Sequence, residues 1–434
     1  MFRRPSFLVI SRLADRLPTA TTLRIQKVKV RVAYNGRGDP GIEADVLVEG
    51  MLGRALSPSG ASRGTNEAVP FIDGDPEKTA SQFNKNHAAK IAGLDASDSE
   101  SITKALRRLD GTKNYSRIGG SLAYAVSVAS TEAEARARGV PMCRVIDPQS
   151  GTLPFPLGNT IGGGKHASDL SPAFQELLVA PLGARNAREA VELNFKVHSG
   201  VGKKLSKTLN YPVGKGDEGG WSPGLTDIEA LGVVSEVVGA VQDETGLRIR
   251  MGVDVAADSL HDPKKGGYYY RTTKKTLTRE EQMAFISELC DKYDLLYVED
   301  PLYEDDFDGY AELHSALKRT LITGDDLYTT DVERLKTGVS KNSTNGVIMK
   351  VNQIGTLWEA QQFSNLAKRT GHVVVASHRS GDNEGGHLAH FAAGFRCGMM
   401  KSGVVGGERT AKLNELIRIG EELGTAAKMA SVRP

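Results

Sequence analysis

Leu295-Leu-Tyr-Val-Glu299-Asp300-Pro301 and Leu321-Ile-Thr-Gly-Asp325-Asp326 follow one plan: a short apolar run stops abruptly at acids. Arg248-Ile-Arg-Met-Gly-Val-Asp254 precedes them with the same kind of ending. Gly346-Val-Ile-Met-Lys350 and Gly398-Met-Met-Lys401 end in lysines, and His372-Val-Val-Val-Ala-Ser-His378-Arg379-Ser380 ends in a polar cluster. Short apolar runs punctuated in this way read as buried strands. Counted from Asp254 through Glu299, Asp325, Lys350, His378 and Lys401, the endings are 45, 26, 25, 28 and 23 residues apart. After the first, each interval holds one strand, one helix and their loops. Parallel strands need helical crossovers of this size, and strands alternating with helices build a parallel sheet. Polar groups at successive strand C-termini are the pattern of a (β/α)8 barrel, whose site gathers over one face. An open doubly wound sheet would collect its site at a single switch point. The expected class is α/β, with a (β/α)8-type barrel.

Working outward, two helices of the barrel region are well marked. Thr226 and Glu229 form a capping box ahead of a helix expected over 227–243, and Gly246 ends it. A second is expected over 409–423, with Gly424 after it. The strand Leu247–Val253 follows the first. Residues 24–33 and 42–49 alternate at period two around Asn35-Gly-Arg-Gly-Asp-Pro40 and read as a hairpin. A small-residue loop, Ser57–Gly64, comes next. Residues 76–109 and 117–139 read as helices, and Pro154 and Pro156 suggest a linker near 147–157. The domains expected are an α+β unit over 23–150 and the barrel over 151–434. Residues 1–22 carry Arg3, Arg4, Arg12 and Arg16 against one acid, Asp15, and are expected to be a flexible basic extension. An upstream start codon and a targeting segment are the other readings, although Phe7–Ile10 is too short for a secretory core.

Composition narrows the class. The chain has 434 residues, 39% of them apolar and 25% charged, as in ordinary globular proteins. No run approaches the roughly 20 apolar residues of a membrane span. Net charge is +2, from 55 basic and 53 acidic residues, which argues against nucleic-acid or membrane partners. Cys143, Cys290 and Cys397 are far apart and form no CxxC, so free thiols in a reducing, cytoplasmic setting are expected.

A single strand-end Asp is most often a turn former or helix cap, and a single Lys there is most often solvated. The array asks for more. Asp254, Glu299 and Asp325 would converge at one end of a barrel and repel one another. A hard divalent cation resolves that conflict, and an all-oxygen set points to Mg²⁺. Lys350 and Lys401 lie opposite. A lysine base facing a metal-stabilised ene-diolate suits proton abstraction next to a carboxylate. Gly214-Lys-Gly-Asp-Glu-Gly219 fits GxGxxG literally, but no strand–turn–helix unit surrounds it, so it reads as a site loop.

Eight segments, in order, resemble the enolase family across residues 24–424: Ser59-Gly-Ala-Ser62, Leu109-Asp-Gly-Thr-Lys-Asn114, Phe174-Gln175-Glu176, Gly216-Asp217-Glu218-Gly219-Gly220, Val298-Glu-Asp-Pro301, Gly324-Asp-Asp-Leu327, Lys350-Val-Asn-Gln-Ile-Gly355 and Ser377-His-Arg-Ser-Gly381. The resemblance implies an α+β capping domain and a barrel of the ββαα(βα)6 variant. It implies Mg²⁺-dependent, reversible dehydration of 2-phosphoglycerate to phosphoenolpyruvate, a hydro-lyase step of glycolysis and gluconeogenesis. Asp254, Glu299 and Asp325 match the ligands of a first Mg²⁺, and Ser62 a loop serine that reaches a second. Lys350 matches the base that removes the C2 proton. Glu218, with Glu176 beside it, matches the acid that helps the 3-hydroxyl leave. Lys401 matches a contact to the substrate carboxylate, and Arg379 and Ser380 contacts to its phosphate. His166 and His378 match active-site histidines, and Gln175 a neighbouring polar contact. A homo-oligomer, dimer or octamer, is implied as well.

Departures from the family pattern cluster behind those residues. Ser380-Gly-Asp-Asn-Glu-Gly-Gly-His387 stands where SGETEDT is usual, Leu388-Ala-His390 where IAD is usual, and Val404-Val-Gly-Gly-Glu-Arg409 where APxRSER is usual. They keep two further readings open. One is a paralogue that abstracts an α-proton from another phosphorylated or carboxylated substrate. The other is a non-catalytic interaction protein on the same fold, against which the presence of Lys350 and Glu218 counts.

Overall fold

The computed structural model describes residues 22–61, 64–164, 167 and 170–434. The expectations for the basic extension, for Ser62 and for His166 fall on positions outside those residues, apart from Thr22.

The N-terminal unit is a three-stranded antiparallel sheet, Ile25–Tyr34, Pro40–Val48 and Met51–Leu56, in that spatial order. The first two strands are the expected hairpin. The third was not foreseen, because Met51-Leu-Gly-Arg-Ala-Leu56 alternates weakly. The helix Gly120–Arg138 lies across this sheet and is buried over most of its length. Its small side chains (Ala, Ser, Gly) let sheet and barrel approach it from both sides. The single helix expected over 76–109 is broken into Pro76–Asn86, Ala88–Ile91 and Ser99–Asp110. The reason is a competing pairing. Gly93 N–H donates to Ile25 O, Ile25 N–H to Leu94 O, and Ala96 N–H to Leu23 O, each at 2.8–2.9 Å. Residues 93–96 thus extend the edge of the first strand and cannot stay helical.

Eight strands close a barrel: Phe155–Gly162, Glu176–Ala180, Arg250–Asp254, Tyr297–Glu299, Leu321–Gly324, Gly346–Met349, Val373–Ser377 and Met399–Gly403. The second runs antiparallel to both its neighbours, and all other pairings are parallel. Helices Ala187–Thr208 and Asp227–Thr245 follow the second strand together, and each later strand is followed by a helix of eight or more residues. This is the expected ββαα(βα)6 order. The linker expected near 147–157 is shorter than proposed. Thr152–Leu153 pairs with Lys428–Met429, and the barrel begins at Phe155. Pro156 is tolerated because it sits near the strand's start, ahead of the stretch that pairs with the second strand from Gly158 onward. The third barrel strand starts later than expected, at Arg250, because Ile249 N–H is taken by the Gln242 side chain at 2.8 Å.

Asp110 shows how the N-terminal unit holds its connections. Its buried carboxylate accepts the N–H groups of Thr112 and Arg117 at 2.8 Å and of Ile118 at 3.1 Å. Asp110→Ala would strand these amides. Leaving buried donors unsatisfied costs about 1–3 kcal/mol each. The expected outcome is a loss of at least about 2 kcal/mol, read as a lower urea midpoint.

Candidate active site

Registers around the barrel put the chemistry at one level. Glu299 pairs with both Asp254 and Thr323, Asp254 with Glu176, and Lys401 with Ser377 and Leu157. Glu176 opens its strand, yet it stands among residues that close theirs, because that strand is antiparallel. Glu218 reaches the same mouth from the loop between helices Ala187–Thr208 and Asp227–Thr245.

Lys401 is the hub. Its Nζ donates to Asp254 Oδ2 at 2.8 Å and to Glu299 Oε2 at 2.7 Å, and it pairs with Glu176 Oε2 as well. All four side chains are at most 4% exposed. Burial opposes the Lys401 charge, but the surrounding carboxylates outweigh it and hold the ammonium well above its usual range. Burial pushes the Glu299 carboxyl up to about 7, with Asp254 adding to the push. Burial, and then the neighbouring Glu218, raise Glu176 well above the carboxylate range. Asn159 bridges that second pair, donating from Nδ2 to Glu176 Oε1 at 2.9 Å and to Glu218 Oε2 at 3.2 Å. Gln175 Nε2 donates to Asp254 Oδ2 at 3.1 Å.

On the other flank, Lys350 Nζ pairs with Asp325 Oδ2, while Gln353 Nε2 donates to Asp325 Oδ1 at 2.8 Å. Burial disfavours the Lys350 ammonium, yet Asp325 prevails and raises it. Two ammonium groups in one cavity lower each other's value; the carboxylate in direct contact with Lys350 outweighs that. Arg379 is buried and makes a two-pronged pair with Glu67, Nη1 to Oε2 at 2.9 Å and Nη2 to Oε1 at 3.1 Å. The Ser380 hydroxyl accepts the Ala61 N–H at 2.7 Å. The His378 ring lies with Nε2 3.3 Å from Glu218 Oε2 and 3.8 Å from Glu176 Oε1. Burial lowers it to about 4, against the pull of Glu218, so the ring is neutral near pH 7.

Every candidate site residue within the described part of the chain therefore lines or adjoins one mouth. Asp254 and Asp325 flank Glu299 from neighbouring strands, so Glu299 belongs to two three-acid groups, one with Asp254 and Glu176 and one with Asp325 and Asp300. Glu299 Oε1 is buried and accepts no hydrogen bond from the described residues. An orphaned carboxylate oxygen within an all-oxygen set fits a hard divalent cation. Sequence reasoning missed Asn159, Glu67 and Arg409. Asn159 sits mid-strand and Glu67 in another domain, so neither carries a local signal.

Fold and site together define a barrel enzyme for acid–base chemistry on a small anionic carbon acid. Residues 25–146 match the family model described as "Enolase, N-terminal domain", and residues 150–433 that described as "Enolase, C-terminal TIM barrel domain". Among curated relatives, the enolase of Methanosphaera stadtmanae is 43% identical over 92% of this chain and 97% of its own length. That of Pyrobaculum aerophilum is 42% identical over 95% of this chain and all of its own, and that of Archaeoglobus fulgidus 43% over 94% and all of its own. The chain belongs to the enolase family. It is a hydro-lyase acting on a small phosphorylated carboxylate, and the family implies a divalent metal. Among the described residues no helix is long and apolar enough to cross a membrane.

The Lys401 hub generates a test. Removing one partner of a buried ion pair costs about 3–5 kcal/mol, because the other charge stays buried. Lys401→Met should lower the thermal midpoint sharply in EDTA, and a divalent cation should restore much of the loss. A variant as stable as wild type in EDTA would mean that the ammonium does not hold these acids together.

Proposed function

We propose that the chain catalyses the reversible, Mg²⁺-dependent dehydration of 2-phosphoglycerate to phosphoenolpyruvate. The observation that carries the reading is the burial, in one mouth, of two lysines, the Glu176–Glu218 pair and two three-acid groups that share Glu299, one holding Asp254 and the other Asp325. Asp254, Glu299 and Asp325 would hold one Mg²⁺, and Ser62 would reach a second. When bound, the metal supplies positive charge for the second negative charge that develops on the substrate carboxylate.

The chain's own residues divide the rest. Lys350 Nζ takes the C2 proton, and Asp325 beside it controls how readily that nitrogen holds one. Lys401 contacts the substrate carboxylate. Glu176 stays protonated next to Glu218, and that pair donates the proton with which the 3-hydroxyl leaves as water. Arg379 and Ser380 bind the phosphate and orient C2 toward Lys350. His166, His378 and Gln175 line the same site. In the altered 382–390 segment, Asp382, Asn383 and His387 are packed against Lys412 and the capping domain. Nothing observed favours the paralogue or the non-catalytic reading. A cytoplasmic homo-oligomer, dimer or octamer, serving glycolysis and gluconeogenesis, with neither nucleic acid nor membrane as partner, completes the proposal.

Three measurements test it. Phosphoenolpyruvate should form from 2-phosphoglycerate with Mg²⁺ and stop on chelation; turnover in metal-free protein would overturn the metal assignment. Lys350→Ala should abolish exchange of the C2 hydrogen with solvent deuterium, whereas Glu218→Gln should keep much of the exchange and block water loss. Arg379→Lys cannot reproduce a planar two-pronged contact and should lower kcat/KM by about tenfold or more, the equivalent of one charge-assisted hydrogen bond.

A further inference from the structure

Arg409 lies in the stretch that departs from the family pattern, and its side chain is 1% exposed. Its guanidinium reaches four acceptors on two functional segments, residues 378–380 and the turn at 217. Nη1 is 2.8 Å from His378 Nδ1 and donates to Arg379 O at 2.7 Å, while Nη2 donates to Ser380 O at 2.6 Å and to Asp217 O at 3.1 Å. A guanidinium has donors and no acceptor. His378 Nδ1 must therefore present its lone pair, and it also faces the Gly403 N–H at 3.3 Å. In a neutral ring the proton then sits on Nε2, which lies 3.3 Å from Glu218 Oε2 and 3.8 Å from Glu176 Oε1 and makes no other hydrogen bond to a described residue.

The turn that carries Glu218 is fixed by the same segment. A Cβ on Gly403 would lie 2.0 Å from Glu218 O, and one on Gly219 would lie 2.1 Å from Val405 O. The backbones touch directly, so Glu218 cannot shift relative to the 403–409 stretch without moving Arg409 as well. Arg379 and Ser380 have anchors of their own. Glu67 grips the Arg379 fork, and residues 59 and 381 exchange two backbone hydrogen bonds at 2.8 Å.

We infer that Arg409 is a positioning residue that locks His378 as the Nε2–H tautomer, so that His378 serves the Glu218–Glu176 pair as a hydrogen-bond donor and not as a base. The inference rests on the reading of Glu218 as the acid of the dehydration step. Its consequence is a division of labour. Arg409 governs departure of the 3-hydroxyl and leaves proton removal by Lys350 alone.

The test has two arms, both on full-length protein with Mg²⁺. In the first, nitrogen-15 NMR of histidine-labelled wild type near pH 7.5, with His378→Gln to assign the signal, reads the tautomer without any turnover. A proton on Nε2 is expected; a proton on Nδ1, or on both nitrogens, overturns the inference even if no Arg409 variant folds. In the second, Arg409→Lys keeps the charge but cannot span the four acceptors. Its kcat for dehydration should fall by about 10–100-fold, the usual effect of losing a residue that orients a reacting group, with KM and C2 exchange within about threefold of wild type. A parallel fall of exchange and dehydration would overturn it. Wild type that fails to dehydrate 2-phosphoglycerate would defeat the proposed activity instead, and the tautomer arm would still decide the role of Arg409.

Discussion

Too many acids share one hole, and the structure is organised around that excess. Glu176, Glu218, Asp254, Glu299, Asp300 and Asp325 are all buried at one end of a single barrel. Burying a carboxylate is costly unless it is paired, hydrogen-bonded or protonated. Each solution is used somewhere in the mouth. Lys401 pairs with three carboxyl groups at once, Lys350 with one, and Glu176 is pushed toward its neutral form beside Glu218. Tyr297, two residues ahead of Glu299 on the same strand, donates to Glu299 Oε2 at 2.6 Å. A cavity arranged in this way discriminates strongly by charge. Its excess of buried carboxylates favours added cations.

The mouth is finished by the other domain. Ser59 and Gly381 form a two-residue antiparallel bridge across the domain boundary. Glu67 reaches Arg379, Thr65 Oγ1 donates to Glu304 Oε1 at 2.7 Å, and Ala68 N–H donates to Gln353 O at 2.7 Å. The loop that carries Ser62 is thus held on both sides of its tip by hydrogen bonds to barrel residues. Glu67 ties the Arg379 guanidinium directly to the capping domain. That coupling belongs to the packing of two domains, and no local pattern announces it.

The sequence displayed most of the barrel because parallel strands with helical crossovers impose a regular interval. Asp254, Glu299, Asp325, Lys350 and Lys401 could each be read from their place at the end of an apolar run. Glu176 could not, since it begins a strand, and only the antiparallel direction of that strand brings it to the others. The family resemblance supplied it, along with Glu218. The N-terminal unit was less legible. The 93–96 segment has helical residues on both sides, but its backbone pairs with Leu23 and Ile25, a tertiary hydrogen-bond choice that overrides local propensity. Arg409 was visible only as the last residue of the stretch set against APxRSER; its burial was not, because an arginine near the start of a surface-type helix ordinarily points to water.

The two acid doublets show why position on a strand is not enough to assign a role. Glu299 and Asp300 are adjacent, yet they face different tasks. Asp300 has φ of +41°, a left-handed conformation that disfavours most side chains but is met more often in Asp and Asn. That turn brings its carboxylate to the end of the next strand. There Oδ1 accepts the Asp325 N–H at 3.0 Å and Oδ2 the Asp326 N–H at 2.8 Å, while Tyr310 Oη donates to Oδ1 at 3.0 Å. Asp300 therefore sets the backbone of Asp325 from the strand that bears Glu299. The separation between Glu299 and Asp325 is thus set by a third acid of the same cluster, whose oxygens are occupied by backbone amides. Acidity at a strand end says that the site is near; the backbone dihedral decides whether the carboxylate reacts or builds.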